Sequence, residues 1–329
     1  MTPNRAALTL AAVAVLTGLT SCRPATSANG LVPVAFQTDW YPQPEHGGFY
    51  MALAKGYYKA EGLDVTILPG GPYVVGDTLV AAGKVQFAMN SSDHMLDAIA
   101  NANEPVIAIA ATMQHDPQGI MVHANSPVHT FADLNGQTVA VKPGSTWWEF
   151  IRTKFHLTSV HEIPATFSVA NFIQDPNYNQ QCFLTSEPYF AAKGGAPARV
   201  LLDRDAGYDP YRIIFTSTTY LHQHPDVVAK FVRASIHGWR DYMQDPTLAN
   251  AMIEKLNPAM SPDWAAYSYR TLKAGNFITG DAPPSDGKPD QIGQLDPARW
   301  QTMYTQLLSL GVIKHPIDPR SAYTTQFTK

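Results

Sequence analysis

Asp39-Trp40-Tyr41-Pro42-Gln43-Pro44-Glu45-His46-Gly47-Gly48-Phe49-Tyr50 is the stretch that decides how this chain is read. A short apolar run, Leu31 to Phe36, precedes it and has the composition of a strand. Two prolines then halt regular structure. From Gly47 the pattern is helical until Gly62 ends it. A strand therefore delivers a carboxylate, two aromatic rings and an imidazole to a loop at its C-terminal end, with Tyr50 just inside the helix. In open α/β sheets, ligands bind at that end. A core tryptophan beside a solvated aspartate is the plainer alternative, but a ligand site accounts for the whole grouping.

Outward from this loop, short apolar runs alternate with helical periodicity. Strands are expected at Val32–Phe36, Val65–Leu68, Val85–Met89, Val106–Ala111, Ile120–Val122, Thr138–Val141, Cys182–Thr185, Val200–Leu202 and Ile213–Thr216. Helices are expected near Gly47–Glu61, Val74–Ala82, Met95–Asn101, Trp147–Phe155 and Pro188–Lys193. This alternation calls for an α/β fold of mostly parallel sheets with helices on both faces. After Ser217 the character is helical, with one apolar face along Val227–Met243 and another along Asp296–Leu310. Between them, Gly280–Gln294 is rich in Pro, Gly and Asp and reads as a loop.

The Asp-Trp-x-Pro-x-x-x-His loop, followed by Gly56-Tyr57-Tyr58-Lys59-Ala60-Glu61-Gly62-Leu63-Asp64-Val65, resembles a known family. It is the branch of ABC-transporter solute-binding proteins that includes thiamine-pyrimidine, riboflavin and sulfonate binders, together with the fungal enzyme that makes the thiamine pyrimidine. Gly83 to Asn90, Leu134 to Val141, Thr185-Ser186-Glu187-Pro188 and His224-Pro225-Asp226-Val227-Val228 extend the resemblance from about Val34 to about Asp245. It implies a two-lobed periplasmic-binding-protein fold of type II, each lobe a mostly parallel sheet flanked by helices. On that analogy lobe one is residues 31–113 and 218–329 and lobe two is residues 114–217, with crossings near Thr112–Asp116 and Phe215–Thr219. The resemblance also implies a membrane permease as partner and a monomeric carrier.

The chain begins like an exported one. Arg5 is the sole charge before Cys22, Ala6 to Leu19 is apolar or small, and Leu19-Thr20-Ser21-Cys22 has the form of a lipobox. Residues 1–21 are expected to be a lipoprotein signal peptide, Cys22 the lipidated residue and residues 22–30 a tether, which places the protein outside the cytoplasm on a lipid anchor. The apolar run falls short of the ~20 residues that a membrane span needs. With Cys22 consumed, Cys182 has no disulfide partner, and two cysteines make no Cys-rich zinc site. A net charge of -4 gives no electrostatic footprint for nucleic acid.

Three further segments are expected at the ligand. Asn90, Ser91 and Ser92 follow an apolar run, and Gly144, Ser145 and Thr146 precede a helix whose start carries Trp147 and Trp148, suited to stacking on a planar ring. Ser145 or Thr146 as an ordinary helix cap remains open. Glu187 stands at a strand-to-helix junction beside Pro188 and Tyr189; it either favours the helix dipole or accepts from a ligand amino group. In the resembled pyrimidine binders the Glu of this motif faces the aminopyrimidine.

The expected ligand set is thus Asp39, Trp40, Tyr41, His46, Tyr50, Asn90, Ser91, Ser92, Gly144, Ser145, Thr146, Trp147, Trp148, Glu187 and Tyr189. Lys142 is the one cation expected nearby. Carboxylates there repel a sulfonate or nitrate, whereas a planar nitrogen heterocycle offers N–H donors and two apolar faces. A thiamine-precursor pyrimidine ranks first, riboflavin second and a sulfonate third. Catalysis of the fungal kind is not expected. The resembled enzyme presents a Lys where this chain has Asn90, four residues before His94, so no Schiff base forms there. The motifs imply no cofactor and no catalytic residue. His222, His224 and Asp226 suggest a metal cluster, but surface histidines at a helix start are ordinary, and no metal is expected.

Overall fold

A computed structural model describes residues 30–72, 74–282 and 290–328. The expected signal, Cys22 and the tether up to residue 29 lie outside the described residues, as does the 283–289 part of the Pro/Gly-rich loop. The strands are β1 Val32–Gln37, β2 Leu63–Leu68, β3 Phe87–Ser91, β4 Val106–Met113, β5 Gln118–His123, β6 Thr138–Val141, β7 His161–Pro164, β8 Asn179–Phe183, β9 Ala198–Leu202 and β10 Arg212–Ser217.

They form two five-stranded sheets, ordered β2-β1-β3-β10-β4 and β7-β6-β8-β5-β9. In the first, β1 is parallel to β2 and β3, and β10 is antiparallel to β3 and β4. The second repeats the plan, with β6 parallel to β7 and β8, and β5 antiparallel to β8 and β9. Each sheet is therefore mixed, four strands running one way and one reversed.

The sheet pairing corrects the second lobe boundary. β10 lies inside the first sheet, so residues 212–217 belong with lobe one, and the return crossing falls between Leu202 and Arg212. An apolar strand says nothing of which sheet it joins; only pairing does. The outward crossing falls between Met113 and Gln118. Asp209 ties the two crossings together, its carboxylate taking the Asp116 N–H at 2.9 Å and lying 2.6 Å from His115 Nδ1.

Local chemistry explains most element ends. The expected Gly47–Glu61 helix is two pieces, Gly47–Ala54 and Tyr57–Ala60, parted at Gly56, whose φ of +73° is left-handed. The long helix Pro225–Gln244 crosses Gly47–Ala54 closely because a Cβ at Gly238 would sit 2.1 Å from the Gly48 carbonyl oxygen. β7 and the polar start of β8 escape a reading by apolar runs: His161-Glu162-Ile163-Pro164 is an exposed edge and Asn179-Gln180-Gln181 is not hydrophobic.

Three apolar clusters hold the layers. One packs Phe36, Phe87 and Phe49 against Phe231 and Trp239 of the long helix. A second runs from the first sheet to the second through Ala108, Phe215, Ile120, Val139, Trp148 and Trp300. A smaller third lies around Met121, Phe172 and Cys182. No helix among the described residues is long and apolar enough to cross a membrane.

Candidate ligand cleft

The loops leaving the C-terminal ends of both sheets face each other across a cleft of about 470 Å³. Asp39, Trp40, Gln43, Glu45 and His46 come from the loop after β1, Gly71, Pro72, Val74, Val75, Gly76 and Asp77 from the segment after β2, and Asn90, Ser91, Asp93 and His94 from the end of β3 and the helix Ser92–Ala102. The second sheet contributes Lys142, Gly144, Ser145, Thr146 and Trp147 after β6, Phe167 after β7, and Gln181, Cys182, Phe183, Ser186 and Glu187 around the end of β8. Each reversed strand adds its first residue, Gln118 from β5 and Arg212 from β10, because antiparallel pairing brings a strand's start to the edge where its neighbours end.

Of the expected residues, Asp39, Trp40, His46, Asn90, Ser91, Gly144, Ser145, Thr146, Trp147 and Glu187 line the cleft. Five do not. Tyr50 and Trp148 are 1% and 3% exposed and belong to the core; Tyr50 sits in the buried helix Gly47–Ala54, and Trp148 in the helix Thr146–Lys154, whose Thr146 and Trp147 line the cleft. The Ser92 hydroxyl is buried, accepting from the Tyr211 N–H at 3.0 Å. Tyr189 packs on Tyr267 and Phe190, away from the lining. Tyr41 is 50% exposed and lies outside the lining, its ring making an edge contact with Trp40 and lying beside Gly71.

Sequence reasoning missed Arg212, and with it the expectation that Lys142 stands as the one nearby cation is overturned. The guanidinium is 3.2 Å from both Asp116 oxygens and 3.9 Å from Asp39, and lies over the Phe183 ring at 4.8 Å. The residue was visible as the cation opening the Ile213–Thr216 strand; its direction was not. Gln43, Glu45, Asp77, Gln118, Phe167 and Gln181 were also missed.

Most cleft carboxylates already have partners. His46 Nε2 is 2.9 Å from Asp39 Oδ1; burial pushes that carboxyl up, yet His46 and Arg212 hold it below its ordinary value. Asp77 Oδ2 is 2.7 Å from His94 Nε2 and accepts from Asn90. Burial likewise works against ionised Asp93, but the side chains of Ser91, Thr146 and Tyr208 hydrogen-bond it and keep its pKa low. Asp116, despite Arg212, is pushed by burial to about 6. Glu187 is pushed by burial to about 7, even though it accepts the Phe183 N–H at 2.8 Å.

Contacts cross the cleft at its mouth and its floor. Trp40 and Phe167 meet with ring centroids 5.4 Å apart, and Phe167 holds a left-handed φ of +57° to do so. Thr146 donates to Asp93 and Thr185 to Glu45. Behind the floor, Trp264 and Ser268 of the helix Pro262–Ala274 both donate to the Thr185 carbonyl, at 3.1 and 2.6 Å. No group of three or more His, Cys, Asp or Glu able to hold a metal occurs among the described residues, so His222, His224 and Asp226 form no such cluster.

Residues 43–249 match the family model described as NMT1/THI5 like. The chain belongs to the NMT1/THI5-like family. It is 25% identical over 311 residues to the riboflavin-binding protein RibY of Chloroflexus aurantiacus, covering 90% of this chain and 86% of that protein. It is 24% identical over 262 residues to the formylaminopyrimidine-binding protein of Halalkalibacterium halodurans, covering 74% and 77%. A 4-amino-5-hydroxymethyl-2-methylpyrimidine phosphate synthase of Aspergillus parasiticus is 32% identical, but over 108 residues, 32% of this chain. Among solved structures, the periplasmic aliphatic sulphonate binding protein SsuA of Escherichia coli superposes with a TM-score of 0.67 at 15% identity, over 88% of this chain and 91% of that one. That likeness establishes a two-lobed solute-binding fold.

Proposed function

We propose that this protein is the extracytoplasmic, lipid-anchored solute receptor of an ABC importer, without enzymatic activity, that captures a planar nitrogen heterocycle between its lobes and presents it to a membrane permease as a monomer. The observation that carries the reading is the cleft itself: aromatic rings from both lobes at its mouth and carboxylates and amides on its walls. Rings give faces to stack on, and fixed acceptors read the edge. Asn90 offers no amine for a Schiff base, which supports a carrier over a synthase.

Two relatives bind heterocycles by name, riboflavin in one and a formylaminopyrimidine in the other. The thiamine-precursor pyrimidine follows from the Glu187 motif. The cleft volume favours the larger ligand, since enclosures of ~300–1,000 Å³ suit drug-sized molecules rather than one small ring. Riboflavin therefore moves ahead of the pyrimidine. An anion is disfavoured because Arg212 is already committed to Asp116 and Asp39, among further carboxylates. Mass spectrometry of small molecules released from protein purified out of its native envelope tests this. A flavin or an aminopyrimidine supports it; an alkanesulfonate overturns it.

A further inference from the structure

Glu45 is 3% exposed and lines the cleft floor. Its Oε1 accepts from the Thr185 hydroxyl of the second lobe, while its Oε2 is buried with no hydrogen-bond partner among the described residues. Asp39 and Asp77 have side-chain partners, and Asp93, whose Oδ1 is also buried and unpartnered, takes both Thr146 and Tyr208 on Oδ2, whereas Glu45 has Thr185 as its one side-chain donor among the described residues. Beside it, His46 Nδ1 is also buried and unpartnered. Its Nε2 lies 2.9 Å from Asp39 Oδ1, and an ionised carboxylate only accepts, so Nε2 carries a proton. Glu45 Oε2 is therefore an acceptor of a cleft-lining side chain with no donor among the described residues. Leaving such groups unmatched is costly, and a ligand that brings donors removes that cost.

We propose that Glu45 is a specificity-determining residue: Oε2 selects ligands whose ring edge presents N–H or O–H donors, while Thr185 on Oε1 couples that recognition to contact between the lobes. This rests on the heterocycle reading and adds a polarity to it. The edge that reaches the floor is an exocyclic amino group or a ring imide N–H, not a carbonyl or an N-alkylated position. Trp264 and Ser268 donate to the Thr185 carbonyl while its hydroxyl donates to Glu45, so Thr185 is held by first-lobe residues on both sides.

The test uses two ligand pairs, riboflavin with 3-methylriboflavin and a 4-aminopyrimidine with its 4-dimethylamino analogue, titrated calorimetrically against the full mature chain. The parent is expected to prefer the N–H member of the pair it binds by at least about tenfold. Glu45→Gln keeps an oxygen for Thr185 but turns an amide N–H toward the ligand. It is expected to weaken the N–H member about 10- to 100-fold and to collapse the preference. Glu45→Asp, which withdraws the oxygen, should do the same and serves if the Gln variant fails to fold. Thr185→Val should weaken both members alike and leave their ratio intact. Parent protein that binds neither pair overturns the heterocycle reading. Parent protein that binds, with Glu45 variants that keep affinity and ratio, overturns the role of Glu45 alone.

Discussion

The two sheets share one topology, yet the walls they present to the cleft differ. The first lobe brings Asp39, Glu45, Asp77 and Asp93 with Arg212, His46 and His94, most of them paired with one another or with neutral donors. The second brings Gln118, Gln181, Ser145, Trp147 and Phe167, with Glu187 and Lys142 as its charged members. The strands decide where side chains are delivered and the loops decide which ones arrive. The first lobe is a charged wall, most of whose groups are paired before a ligand arrives, with Glu45 Oε2 and Asp93 Oδ1 left unpartnered among the described residues. The second is an amide-lined and aromatic cover.

Substitutions in the two walls should therefore fail differently. The largest effect is expected at Arg212. Arg212→Met leaves buried Asp116 without its partner and should cost about 3–5 kcal/mol of stability, read as a lower midpoint in urea at an unchanged m-value. A loss under 1 kcal/mol would mean that the first wall is not electrostatically braced. Trp40→Ala comes next and separates binding from folding. It should weaken ligand binding by about 1–3 kcal/mol by calorimetry, with little change in melting temperature. Collapse of the fold at unchanged affinity would make Trp40 a core residue.

Glu187 gives a smaller, pH-dependent signature of the second wall. Its folded pKa of about 7 lies above the ordinary 4.5, so the folded chain holds an extra proton between those values. Stability should then fall as pH rises from about 4.5 to 7, because the unfolded state binds fewer protons there. Glu187→Gln should remove that slope and be relatively more stable above pH 7, as urea titrations at several pH values will show. The smallest effect is expected at Phe167. Phe167→Gly relieves a left-handed backbone, so stability should change by no more than about 1 kcal/mol. Ligand release, followed by stopped flow, should quicken once the ring over Trp40 is gone.

The sequence made the layers readable and the reversals invisible. Alternating runs such as Val106–Ala111 and Thr138–Val141 marked strands, because a buried strand must be apolar, and Asp39 to His46 marked the cleft, because two prolines force a loop there. Arg212 and Gln118 were not legible as cleft residues. Their role depends on β10 and β5 running against their neighbours, a long-range property that no local pattern encodes. Trp148 failed for a local reason: a helix at the cleft has one face in the core, and an uncertain first turn cannot assign the face; Tyr50 lies where the helix Gly47–Ala54 is already buried in the core. Glu45 stood in the quoted loop, but its unpaired oxygen becomes apparent only once Thr185 is placed against the other.

The most direct test of the cleft as a heterocycle site is a calorimetric titration of the protein with riboflavin, a 4-aminopyrimidine and ethanesulfonate under one buffer condition. The proposed function predicts saturable one-to-one binding of a heterocycle and no heat from ethanesulfonate. Saturable ethanesulfonate binding with neither heterocycle bound would contradict it.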